Sequence, residues 1–248
     1  MIDLRTVQDI IAVWFMPLVP SSLRGGAGSQ EDGHTYLFLW TGFMVVGMTV
    51  ADLARPLETK RARLYDAALV MGGSAVIGLC AQVAIGGPVP VTGQTFAVLM
   101  TGALLGSHRA ILCVFAYLME GLLGLPVFAQ GGAGVSVLLG PRGGYLVGFL
   151  AVAWIVGSLA ERGWDRRPAT TVLAMLLGSV GLYACGLTWL FCLTRVFAQS
   201  VSDRGILAIG LYPFLVGDVL KIALAAVLLP TGWTWIQYFR LDRTPDVW

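Results

Sequence analysis

The sequence has little charge. Asp, Glu, Lys and Arg make up only 12% of its 248 residues, against 57% hydrophobic, where a water-soluble domain carries about 25% charged residues. With a mean hydropathy of +0.79, the chain cannot cover a water-facing surface, and long uncharged runs make lipid the solvent that fits. Basic and acidic residues nearly cancel, at 16 and 14. A nucleic-acid partner needs a basic footprint, so none is expected.

Reactive and ligating groups are also scarce. The two histidines, His34 and His108, stand far apart, and Cys80, Cys113, Cys185 and Cys192 lie in apolar stretches without a CxxC pair. No metal-site spacing exists, so neither metal nor cofactor is expected, and the cysteines read as packed or lipid-facing thiols. The only lysines are Lys60 and Lys221, and neither follows a phosphate-cradling G-x-x-x-x-G-K-[ST] loop. The chain therefore holds no motif for ATP hydrolysis. Neither a Ser/His/Asp set nor an HExxH motif can be assembled, so an enzyme acting on an amphipathic substrate has no acid–base machinery here.

What is present is a series of apolar runs. Residues 1–20 carry Asp3 and Asp9 where a signal peptide would be basic; they read as an interfacial amphipathic segment anchored by Trp14 and Phe15. A Gly-rich linker at 25–33 precedes a first span at 36–53, and a basic cluster of Arg55, Lys60, Arg61 and Arg63 follows. Further runs occupy 67–85, 95–105, 110–125, 145–159, 172–193 and 206–229. A straight spanning helix needs about 20 residues, so the shorter runs require loops to complete them inside the protein. The expected fold is an all-α membrane protein, a six-helix bundle over residues 64–248 with one additional N-terminal helix within residues 1–63. If each later run crosses once, ten Lys and Arg fall on the side of the basic cluster and three, Arg142, Arg195 and Arg204, on the other. The basic side is then cytoplasmic.

The opposite side receives two unusual loops, Ile85-Gly-Gly-Pro-Val-Pro-Val-Thr-Gly-Gln94 and a longer one from Gly124 to Tyr145. Their Val-Pro-Val and Leu-Pro-Val-Phe stretches are too apolar to be left in water. Irregular backbone at membrane depth is tolerated where it lines a cavity, and Gly/Pro-interrupted segments point to a binding site in membrane carriers.

Asp218 and Lys221 are the sharpest signal. They lie three residues apart in an otherwise apolar run, so a helix puts both on one face. A charge at bilayer depth costs about 3 kcal/mol or more and marks a functional site by default. Asp only accepts hydrogen bonds and Lys only donates. A cyclic urea, which does both, satisfies the pair; a carboxylate satisfies Lys221 as well. An internal ion pair that merely pins helices is the plainer reading, ranked second. Tyr145 either walls a pocket or belongs to an interfacial belt. Gln94 either meets a ligand or contacts loop backbone, and Gly131, Gly132 and Gly134 either admit a ligand closely or form a turn. Glu120 either snorkels or faces a cavity. Trp233, Trp235, Tyr238 and Arg240 read as a membrane-edge belt. Ala68/Gly72 and Ser74/Gly78 offer small-residue faces for close helix approach.

Several stretches in register are similar to one family: Ala81-Gln-Val-Ala-Ile, Pro88-Val-Pro-Val-Thr-Gly-Gln-Thr-Phe-Ala-Val-Leu, Gly102-Ala-Leu-Leu-Gly, Gly124-Leu-Pro-Val-Phe-Ala, Leu139-Gly-Pro-Arg-Gly-Gly-Tyr-Leu-Val-Gly-Phe and Gly217-Asp-Val-Leu-Lys221. The chain thereby resembles the BioY family, the biotin-specific substrate-binding component of energy-coupling-factor transporters, over residues 64–229. The resemblance implies a six-helix membrane fold in a bacterial inner membrane, with a biotin pocket near the outer face. It implies that Asp218 and Lys221 contact biotin, with Gln94, Gly131, Gly132 and Tyr145 nearby. It implies as partners a transmembrane coupling subunit, docked on the small-residue helix face, and two ATPase subunits; some members of the family work without them. Two positions depart from the pattern: Leu146 and Gly132 stand where some members carry Arg and Asn. Arg142 is then the candidate cation for the biotin carboxylate.

Overall fold

The computed structural model describes residues 48–85, 89–195 and 205–241. The proposed interfacial segment, the linker and most of the first apolar run lie outside these residues. Only the end of that run is described, as a single helical turn, α1 (Val50–Leu53). It is followed by α2 (Thr59–Gln82), a small hairpin of β1 (Ala84–Ile85) and β2 (Val91–Thr92), α3 (Gln94–Leu105), α4 (Ser107–Leu122), α5 (Val135–Leu139), α6 (Gly143–Glu161), α7 (Pro168–Arg195), α8 (Ile206–Gly210) and α9 (Tyr212–Leu241). Strands β1 and β2 pair antiparallel, with Ala84 opposite Thr92 and Ile85 opposite Val91.

Four segments among the described residues are long and apolar enough to cross a membrane: Thr59–Gln82, Gly143–Glu161, Pro168–Arg195 and Ile206–Tyr238; Gln94–Leu105 is apolar but short. The chain is a multi-pass helical membrane protein. Its surface agrees: Val216 is 83% exposed and Leu79 71% exposed, an arrangement that lipid tolerates and water does not. Helix α9 shows how one sequence serves both sides. Phe214, Asp218, Ile222, Ala225, Leu229 and Trp233 are buried at steps of three and four residues, which make a single helical stripe. Val216, Val219, Leu220 and Val227, between them, face out.

Helix α6 is the centre of the bundle and packs on α3, α4 and α7. In lipid the hydrophobic effect does not press helices together, so close van der Waals packing must, and small residues permit it. Side chains at Gly144 and Gly148 would run into Trp189 and Cys185 of α7, and one at Gly157 would meet the backbone of Ser107. On α2 the two small-residue pairs part company: Ser74 and Gly78 are buried inward, whereas Ala68 and Gly72 are exposed. Ser74 donates a hydrogen bond to Glu120 Oε2 at 2.8 Å, so Glu120 is bound to a neighbouring helix.

The long helices alternate in direction, and hydrogen bonds tie their ends. At one end Arg109, early in α4, bridges Asp52 (2.7 Å) and Asp66 (2.8 Å). Arg55 also pairs with Asp66 at 2.8 Å. There Tyr65 donates to the Ala51 carbonyl (2.9 Å), Arg166 to the Met48 carbonyl (3.2 Å), and Ser107 to Glu161 (2.8 Å). The segment ahead of α2 is thus strapped across this base, where Arg55, Arg109 and Arg166, three of the basic residues predicted to share one side of the membrane, come together.

The sequence expectation is corrected at two places. Trp233 is buried and donates its indole N–H to Asp165 in the α6–α7 turn, with Arg166 over its ring at 4.6 Å. It is a structural tie, whereas Trp235 and Tyr238 are exposed as a belt requires. Secondly, the last run does not stop at residue 229: α9 continues through Pro230 to Leu241. Pro230 supplies no N–H to the Ala226 carbonyl one turn earlier, and the helix nevertheless runs on through it; one turn later Thr234 Oγ1 donates to the Pro230 carbonyl at 2.9 Å. Pro213 falls in the first turn of α9, where its missing N–H is no loss; the helical run accordingly breaks at Leu211.

Candidate functional site

At the end opposite the strapped base, the hairpin and the long Gly/Pro-rich loop cover a cleft. The cavity itself measures about 40 Å³, room for a water or two, so a ligand that needs a site of about 300 Å³ or more enters only if the cap or a lining side chain moves. Its walls come from α3, α6, α7, α9 and both loops, and are mostly apolar, with Phe128, Phe149, Leu182 and Phe214 prominent. The polar groups on the lining are few: Thr92, Gln94, Thr95, Arg142, Tyr145 and Tyr183.

Local sequence explains how these groups are presented. Gly93 leads into α3, so Gln94 is its first residue, buried at the head of the helix. Its amide is already engaged: Thr92 Oγ1 donates to Gln94 Oε1 at 3.3 Å, and Gln94 Nε2 donates to the Tyr117 hydroxyl. Arg142 caps the start of α6 and donates to the Ala129 carbonyl at 2.9 Å and to Gln130 Oε1 at 2.6 Å. The cation that lines the cleft is therefore also a brace for the cap. Tyr145, one turn into α6, donates to the Gly210 carbonyl at 2.7 Å and stacks on Phe214 with ring centroids 6.1 Å apart. Gly186 of α7 leaves room for its ring.

Gly131 and Gly132 do not line the cleft; their neighbours Phe128 and Ala129 do. The glycines shape the cap from behind. Gly131 has a φ of +70° and Gln130 a φ of +63°, a left-handed turn in which the non-glycine residue is uncommon. Gln82, at the end of α2, holds that turn: its side-chain oxygen accepts from the Gly131 N–H at 3.1 Å, and its amide nitrogen donates to the Phe128 carbonyl at 3.3 Å.

Asp218 and Lys221 point inward from α9, with only 10% and 14% of their side chains exposed, and pair at 3.4 Å. Neither lines the cleft directly. The link is Tyr183, whose ring lines the cleft and whose hydroxyl donates to Asp218 Oδ2. The structure thus brings Gln94, Arg142 and Tyr145 onto one lining, sets Asp218 and Lys221 immediately behind it, and leaves Gly131 and Gly132 in the cap. Sequence reasoning missed Tyr183, Phe149, Gln82 and Tyr117. A tyrosine inside an apolar span is a weak signal, since its ring alone justifies its burial. No group of three or more Cys, His, Asp or Glu fit to hold a metal occurs among the described residues.

Fold and cleft together define a multi-pass helical membrane protein with a narrow, mostly apolar cleft under an irregular cap at one end. The sequence profile of the BioY family matches residues 40–238, and the chain belongs to that family. Among its relatives, the biotin transporter BioY of Thermotoga maritima is 34% identical over 169 residues, covering 68% of this chain and 90% of that protein. The biotin transporter BioY2 of Lactococcus lactis is 32% identical, covering 66% of this chain and 88% of its own length. A crystal structure described as the S-component for biotin from an ECF-type ABC transporter superposes with a TM-score of 0.58 at 25% identity, covering 71% of this chain and 95% of that one.

Proposed function

We propose that the chain is the biotin-capturing S-component of a vitamin importer of the energy-coupling-factor type. It is a transport protein, not an enzyme, as its BioY relatives are named biotin transporters. The observation that carries the ligand reading is the buried Asp218–Lys221 pair behind an otherwise apolar cleft. Burying two charges is costly unless they are paired and their remaining valences used. Biotin's ureido ring donates through N–H and accepts through C=O, so it complements a carboxylate beside an ammonium. Phe128, Phe149, Leu182 and Phe214 suit its sulfur ring and alkyl chain. Arg142, at the lining beneath the cap, is the partner for the valerate carboxylate. Gln94 and Tyr145 fix the walls, and the turn at Gly131 and Gly132 shapes the cap over the ligand.

In this reading six membrane passes over residues 64–248 form the capture domain, and residues 1–63 add one N-terminal span. The protein sits in a bacterial inner membrane with the cleft outward. Biotin enters beneath the cap, and the bundle then moves against a transmembrane coupling subunit driven by two ATPase subunits, for which the exposed Ala68/Gly72 face of α2 is the docking candidate. The strapped base faces the cytoplasm. A self-sufficient carrier is distinguished by biotin uptake in a host that lacks coupling ATPases.

The test is a biotin titration of the purified chain in detergent. Wild type is expected to bind, and Asp218→Asn and Lys221→Met to lose about a hundredfold or more in affinity, as each strands a buried charge. Equal affinity in both variants would remove the assignment.

A further inference from the structure

The wall between the cleft and the Asp218–Lys221 pair has one polar tip, and it sits on the carboxylate. Tyr183 donates its hydroxyl proton to Asp218 Oδ2, while Lys221 Nζ holds Oδ1 at 3.4 Å. Tyr183 lines the cleft; Asp218 and Lys221 do not. Any ligand that is to be read by the pair must therefore deal with this tyrosine first.

Resting on the biotin reading above, we infer that Tyr183 is a placeholder: its hydroxyl occupies the cleft-side oxygen of Asp218 while the site is empty, and an N–H of the ligand displaces it. A buried carboxylate oxygen without a donor costs about 1–3 kcal/mol or more. Lys221 satisfies one oxygen only, so the empty protein needs a second donor, and the phenol supplies it. A ureido N–H makes the same donation, so the exchange replaces one hydrogen bond to Asp218 by another.

Three observations single out Tyr183 as the part that moves. Asp218 is 7% exposed on the buried stripe of α9, whereas Tyr183 is only half-buried. The other cleft tyrosine, Tyr145, is fixed through its hydroxyl to Gly210 and stacked on Phe214 at 26°. Tyr183 meets the same Phe214 ring tilted at 57°, with centroids 6.4 Å apart, a looser contact. The consequence is specificity. A molecule with an apolar body and a carboxylate but no N–H donor has nothing to offer Asp218, and it leaves the tyrosine in place.

The experiment is calorimetric titration of the full-length chain in detergent with biotin and with an analogue methylated on both ureido nitrogens. Tyr183→Phe removes the competing hydroxyl and keeps the ring. It is expected to bind biotin about tenfold more tightly than wild type, the equivalent of one hydrogen bond no longer broken on entry. The methylated analogue is expected to gain nothing from the substitution. Should the Phe variant fail to purify as a single species, Tyr183→Met, which fills similar space without a hydroxyl, is subject to the same expectation. Unchanged or weaker biotin binding overturns the placeholder role; weaker binding would make the Tyr183 oxygen a ligand contact in its own right. An equal gain for the methylated analogue also overturns it, because the exchange would then not involve a ligand N–H. Failure of the biotin reading looks different: wild type does not bind biotin, or Asp218→Asn and Lys221→Met both bind it as well as wild type does, and either result removes both conclusions.

Discussion

The two ends of the bundle use charge in opposite ways. At the strapped base Asp52, Arg55, Asp66 and Arg109 are joined in one chain of ion pairs at 2.7–2.8 Å. The groups are partly exposed, near headgroups and water, where each pair contributes little by itself and the network holds termini in register. At the cleft end the charges are fewer and deeper. Asp218 and Lys221 pair at a longer 3.4 Å and rely on a tyrosine for the remaining oxygen. At the base the charges saturate one another, whereas on the proposed function the pair at the cleft keeps a valence that a ligand can take over. Substitutions at the base should change stability and leave biotin binding alone; those at the cleft should do the reverse.

The largest effect should come where the distinction collapses, in the close-packed glycines of the shared core. Gly186→Leu drives a side chain into the Tyr145 ring and is expected to cost about 3 kcal/mol, with both thermal stability and biotin binding lost. Fluorescence-detected gel filtration after a heat ramp reads the first, and titration the second. A variant that keeps both would show that α6 and α7 have slack.

Next comes Arg142→Ala. It removes the cation at the lining together with its bonds to Ala129 and Gln130, and is expected to weaken biotin binding about thirtyfold with little change in Tm. Biotin methyl ester, which has no carboxylate charge, should lose much less from the same substitution.

Arg109→Ala is the converse. It leaves Asp52 and Asp66 without their shared partner and is expected to cost about 1–2 kcal/mol of stability. Biotin affinity measured by titration should remain that of wild type. A change in affinity would mean that the strap at the base communicates with the cleft.

The smallest effect is one of pH, and it concerns a carboxyl in the α6–α7 turn. Burial pushes the Asp165 carboxyl above 3.8, against the Trp233 indole N–H and the Arg166 charge, which pull it down. It binds protons more tightly folded than unfolded, so its contribution declines as pH rises from 3.8 through its raised value. Relative to wild type, Asp165→Asn should flatten the decline of Tm above pH 3.8. The same slope in both proteins would remove this carboxyl as a titrating tie.

Much of this contrast was legible before any coordinates. Asp218 and Lys221 announce themselves because charge is rare in such a chain and three-residue spacing fixes a shared helix face. Tyr145 and Gln94 stand where Gly/Pro-rich loops meet helix starts, and irregular backbone beside a span already suggests a cavity, whereas Arg142 was reached only through the family resemblance. Tyr183 and Trp233 were not legible. An aromatic in an apolar stretch serves equally well as packing, belt or hydrogen-bond donor, and only its neighbours in space decide which. The role of Gly131 and Gly132 was equally hidden, since a glycine pair reads the same whether ligand lies before it or the cap turns behind it.

The sequence by itself determined the solvent, the helical class and the end at which irregular backbone collects, because hydropathy, run length and Gly/Pro placement are local properties with one physical meaning in lipid. Which polar groups face the free space was decided only in three dimensions. That choice depends on how α6, α7 and α9 rotate against one another, and close packing through glycines fixes those rotations with no trace in the pattern of any single helix.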